Sequence, residues 1–164
     1  MRDVRLLLLA CLTLPLAACG EGGNAPPAAT GSSQARSTEQ SAEAEATVDG
    51  ATVHVTTVQT SQLPDSVARG YGIARSPRTI LLLVNLRGIG TAPPPAVSAT
   101  VTDLQQHVTP VALRELHVAG AEAATADYVG TVDATLPDTL RFTVLARRGG
   151  ATATVEVSRD FYPQ

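Results

Sequence analysis

From Ala51 to Phe161 the chain keeps returning to one pattern, a β-branched or otherwise apolar residue at every second position with Thr, Ser, His or Arg between. Residues two apart share a face in an extended strand, so this spacing commits the region to β-structure. Within 52–58, Val53 and Val55 face one way and His54 and Thr56 the other. The alternation returns at 96–104, 111–118 and 127–134, and again at 139–146 and 152–161, which Arg147-Arg148-Gly149-Gly150 joins as a tight hairpin. The run 79–86 is apolar at both alternating sets and is expected as a central strand buried on both faces. Seven strands with short turns predict an all-β, antiparallel, immunoglobulin-like sandwich. The likeness is one of architecture only, because the paired cysteines and tryptophan of antibody domains are absent.

One stretch breaks the pattern. Leu63-Pro64-Asp65-Ser66-Val67-Ala68-Arg69-Gly70-Tyr71-Gly72 places proline and aspartate at its start and glycines at its exit, which predicts a short helix over 64–71, strapped across the end of the sandwich. Between Arg87 and Pro95, glycines and three consecutive prolines exclude both ladder and helix.

Ahead of this region lie two segments of different character. Arg2 and Arg5 precede an apolar run of 11 residues from Leu6 to Leu16, too short to span a bilayer at ~20 residues. Leu16-Ala17-Ala18-Cys19, followed by Gly20, closely resembles the bacterial lipobox. That resemblance implies a signal peptide over 1–18 and lipid on Cys19, which becomes the first residue of the mature chain. Two or three acyl chains hold a protein firmly at ~0.8 kcal/mol per buried methylene. With no aspartate after the cysteine, the expected location is the outer membrane, with the domain facing the periplasm. Residues 20–47 are mostly Gly, Ala, Pro, Ser, Gln and Glu, without aromatics or apolar periodicity, and are expected to be a disordered tether of about 30 Å span. Within it, Ser37 to Ala46 could form a transient helix without an apolar face.

Charge and cysteine use narrow the function classes. Removing Arg2, Arg5 and Asp3 from 12 basic and 15 acidic residues leaves ten against fourteen, a net of −4. This argues against nucleic acid as a partner and against adhesion to anionic lipid. Cys11 leaves with the leader and Cys19 is consumed by lipid, so the mature domain has neither thiol nor disulfide.

Several segments carry a family resemblance. Leu63–Ser76, with its Val67-Ala68, Tyr71-Gly72-Ile73 and Arg75-Ser76, resembles the signature of the DUF4426 family, short exported proteobacterial proteins of unknown function. Leu113-Arg114-Glu115-Leu116, Asp138–Val144 and Phe161-Tyr162-Pro163 extend the likeness over most of 48–164. It implies a β-sandwich and no established activity.

Chemistry-bearing constellations are thin. His54, His107 and His117 stand in no metal-ligand spacing, no Gly-x-Ser-x-Gly elbow exists, and neither Gly70-Tyr71-Gly72 nor Gly88-Ile89-Gly90 opens a helix after a strand as phosphate loops do. His54 and His117 read as surface strand residues. No catalytic residue, metal or cofactor is therefore expected, and the chain reads as a non-enzymatic binding or assembly module that holds a periplasmic or envelope protein by its strand edges or by the 65–78 segment. The alternative is a ligand-binding protein or enzyme with a pocket built by loops. Arg69, Tyr71, Arg75 and Arg78 are the candidate partner-binding residues, three guanidinium forks suited to carboxylate or phosphate groups beside one aromatic ring for stacking, with a periplasmic or envelope protein as the expected partner. The structural alternative pairs Arg69 with Asp65 one helical turn earlier and buries Tyr71 in the core. Arg114, Glu115 and Arg141 are expected to form a cross-strand ion pair.

Overall fold

A computed structural model describes the backbone of residues 32–36 and all of residues 42–116 and 125–164. The leader, Cys19 and His117 lie outside these.

The described residues form ten strands in two five-stranded sheets. The strands are β1 (Ser32–Arg36), β2 (Glu43–Val48), β3 (Ala51–Gln59), β4 (Thr79–Arg87), β5 (Ala96–Thr102), β6 (Val108–Val111), β7 (Arg114–Leu116), β8 (Thr125–Asp133), β9 (Asp138–Arg148) and β10 (Ala151–Phe161). One sheet has the order β1-β10-β9-β5-β6 and the other β2-β3-β4-β8-β7. All neighbours are antiparallel except β1, which runs parallel to β10. The all-β sandwich read from the sequence is the fold.

Alternation builds the core. On β3, Val53 and Val55 are wholly buried, and their register partners on β4, Leu86 and Val84, are as well. Facing them from the other sheet are Phe142, Val144, Val155 and Val157, none of them exposed. Thr57 continues the buried row of β3, yet its hydroxyl has no hydrogen-bond partner among the described residues. The first half of β4 is buried on both faces, as expected, with Ile80, Leu81 and Leu82 at 1% exposure or less. Its second half alternates, because Asn85 and Arg87 reach solvent.

Three strands exceed the seven expected. Residues 43–48 are not tether but β2, and Glu43–Ala46 are extended rather than transiently helical. Ala44, Ala46 and Val48 turn inward, and Asp49-Gly50, with φ of 44° and 78°, makes the two-residue turn that pairs Val48 with Ala51. β1 adds a second strand from the same segment. The run 111–118 divides, with Val111 ending β6 in one sheet and Arg114 beginning β7 in the other. Gly130 permits that crossing, since a Cβ there would lie 2.6 Å from Val111 Cγ1 and 2.9 Å from the Ala112 carbonyl oxygen. On β6, Pro110 stands opposite Thr100. A proline cannot donate to the ladder, so its nitrogen faces outward from this edge strand.

The expected helix is α1 (Asp65–Gly70), preceded by a 3-10 turn over Thr60–Gln62. Gly72, at φ 62°, closes its end while the Ile73 amide donates to the Ala68 carbonyl. The strap 60–78 is tied at its base by Thr60 Oγ1 donating to the Ser76 carbonyl and by Gln59 Nε2 donating to the Pro77 carbonyl. It lies on the outer face of β4 and β8, where Leu81 and Val129 are buried away from the main core.

Candidate functional site

The structure separates the four candidate residues of the strap into different roles. Arg75 is engaged: its Nη1 donates to the Asp65 carboxylate and its Nη2 donates to the Ser61 carbonyl at 2.6 Å. Asp65 is thus taken by Arg75 across the strap and not by Arg69 one turn away, because the strap folds back and brings the two ends together. Tyr71 is half-buried and outside the core, and its carbonyl accepts from Arg114 Nη2. Arg69 and Arg78 are exposed and have no ion-pair partner among the described residues. Arg148 and Arg159, by contrast, are tied in. Arg148 donates to the carbonyls of Ile89 at 2.5 Å and Asp49 at 3.3 Å, and Arg159 donates to the Thr57 carbonyl at 3.1 Å while standing 5.5 Å over the Phe161 ring.

The expected ion pair of Arg114, Glu115 and Arg141 is not present. Arg141 belongs to the opposite sheet, and Glu115 stands opposite Tyr128. Partial burial, reinforced by the Glu115 charge, pushes the Tyr128 phenol above its ordinary value. His54 sits half-buried on the outer face of β3, 3.8 Å from Glu43 and 3.9 Å from Glu45. It is the surface strand histidine that alternation predicts. Among the described residues no cluster of three or more His, Cys, Asp or Glu could hold a metal ion.

Two open clefts lie on either side of β8. The first, about 470 Å³, is framed by the 103–107 turn and the β8–β9 connection. Within it His107 Nδ1 is 3.0 Å from Asp103 Oδ2, the His107 amide donates to Asp103 Oδ1 at 2.8 Å, and Asp138 accepts from the Leu104 amide at 3.2 Å. Desolvation draws the Asp103 carboxyl upward, but the His107 amide and imidazole outweigh it and hold the group below its ordinary value. The second cleft, about 460 Å³, runs between Gly72–Ala74 of the strap and Arg114, with Gly130 and Thr131 along its floor. Strand alternation does not pair His107 with Asp103, which becomes its neighbour only when Gln106 takes a φ of 67° in the turn.

The model of the DUF4426 domain, a domain of unknown function, matches residues 45–164. The chain belongs to the DUF4426 family. A crystal structure of a DUF4426 family protein from Pseudomonas aeruginosa PAO1 superimposes with a TM-score of 0.58 at 22% sequence identity, covering 75% of this chain and 97% of that one. At that identity the DUF4426 neighbour speaks for the fold alone. No curated protein matches the chain. The family match begins inside β2, so the DUF4426 domain starts ahead of the boundary at 48 that composition suggested.

Proposed function

We propose that this DUF4426 protein is a lipid-anchored, non-catalytic envelope module, held to the outer membrane through Cys19, whose strap presents Arg69 and Arg78 to a carboxylate-bearing periplasmic or envelope protein. The observation that carries the reading is the contrast among arginines. Arg75, Arg114, Arg148 and Arg159 each donate to a named carbonyl, whereas Arg69 and Arg78 stand exposed on the strap without an ion-pair partner among the described residues; Arg87, Arg141 and Arg147 are exposed in the same way on the strands, and what distinguishes Arg69 and Arg78 is their place on the strap with Tyr71. Unpaired guanidinium groups beside a half-buried tyrosine suit recognition of carboxylates.

The test is crosslinking in intact envelopes followed by purification of the wild-type protein and of the Arg69→Ala/Arg78→Ala variant. The wild type should co-purify a partner and the variant should lose it, with an unchanged thermal midpoint. Equal recovery from both would overturn the strap assignment. The anchor is tested separately: wild-type protein in the soluble periplasmic fraction, without acyl mass on the peptide beginning at Cys19, would sink it, and Cys19→Ser should remain unlipidated.

A further inference from the structure

Beside β8 there is a strand position into which none of the described residues pairs. β8 pairs with β4 along its whole length, from Thr125 opposite Arg87 to Asp133 opposite Thr79. On its other side, among the described residues, it pairs with β7 over Asp127–Val129. By register the residues that would continue β7 towards Asp133 are Leu113 and Ala112, which pair into neither sheet and pack against Gly130, and then Val111 and Pro110 of β6, which belong to the other sheet. Orientation follows from one hydrogen bond. The Ala134 amide donates to the Arg78 carbonyl at 2.9 Å, which turns even-numbered residues of β8 towards β4. The backbone groups of Thr131 and Asp133 therefore turn the other way, beyond the end of β7, where no strand among the described residues pairs with them. Both residues are exposed, although Val129 and Gly130 just before them are buried.

The two clefts meet on this edge, since Asp133 lines both. Their chemistry is polarised. The Asp133 end opens onto Asp138 and Asp103, while the Gly130 end abuts Arg114 at the start of β7.

We infer that the edge of β8 at Thr131–Asp133 takes an extended peptide of a partner protein as an added strand, antiparallel to β8 and cationic at its N-terminal end. An antiparallel strand in this position continues the direction of β7, placing its N-terminus beside Asp133 and its C-terminus towards Arg114. Main-chain bonds to Thr131 and Asp133 give the attachment, and the carboxylates select sequence and polarity. The inference deepens the proposed binding role by naming a peptide site next to the strap.

The experiment uses the full-length protein in detergent micelles and three capped octapeptides of alternating Thr and Val. One carries two arginines at its N-terminal end, one carries them at its C-terminal end, and one carries two glutamates at its N-terminal end. The first should bind about tenfold more tightly than either other. Asp133→Asn/Asp138→Asn should erase that preference, and Thr131→Pro, which removes an outward N–H, should abolish binding. Should Thr131→Pro fail to fold, amide exchange on the wild type decides, since the first peptide should slow Thr131 and Asp133 and leave Val132 unchanged. Equal binding of all three peptides, no binding by any, or binding without protection at 131 and 133 would overturn the inference. A dimer of the full chain that protects the same two amides would replace the peptide by a second copy. If peptide binding fails while the Arg69/Arg78-dependent partner is still captured, only this site falls.

Discussion

A Cβ built on Gly130 would stand 2.6 Å from Cγ1 of Val111, closer than carbon atoms pack, and 2.9 Å from the carbonyl oxygen of Ala112. One of these neighbours is backbone, so it cannot swing aside as a side chain would. Gly130→Ala should therefore cost about 2 kcal/mol or more, at the upper part of the range for overpacking. Urea unfolding checks it, and a loss below about 0.5 kcal/mol would mean that the β6–β7 crossing relaxes freely.

Thr57 offers the opposite case. Its hydroxyl is buried beside Leu82 without a partner among the described residues, and valine has nearly its shape. Thr57→Val should raise stability by about 1 kcal/mol by removing an unmet desolvation cost. A lower thermal midpoint would show that the hydroxyl is satisfied in solution.

Arg75 and the Arg69/Arg78 pair should behave differently. Arg75→Ala removes an exposed ion pair and the bond to the Ser61 carbonyl, so it should cost about 0.5–1 kcal/mol and speed amide exchange in the strap. Arg69→Ala and Arg78→Ala should leave both unchanged.

Two groups set pH limits in opposite directions. The folded-state carboxyl of Asp103 titrates below its unfolded value, so its contribution is present above about pH 4 and is lost as pH falls through the folded value. Asp103→Asn should flatten the acid limb of the stability profile. Tyr128 is raised, so its contribution is complete below about pH 10 and is lost as pH rises through the folded value. Ultraviolet titration should find one tyrosine ionising late, and Glu115→Gln should bring it earlier.

How much of this was legible depends on where each element takes its information. The strands of the core announce themselves because Val53, Val55, Val144 and Val155 alternate with polar residues, and the 64–71 helix because Pro64 and Gly72 bracket it. β2 was hidden because its inward residues are mostly alanine, Ala44 and Ala46, which carry little apolar contrast; Asp49-Gly50 was the available signal for its hairpin. The break between Val111 and Arg114 leaves the alternation intact on both sides, so only the packing of Val111 over Gly130 reveals the change of sheet. The pairing of Arg75 with Asp65 depends on the strap folding back, which sequence spacing along a helix does not report.

Pro110 bears on how neighbouring molecules meet. Two copies concentrated side by side, as a membrane anchor would concentrate them, could otherwise join β6 to β6 and grow into a continuous ribbon. With no N–H to offer at Pro110 in that four-residue strand, each copy would interrupt the other's ladder. The outer flank of the β5–β6 sheet thus carries a break against edge-to-edge joining.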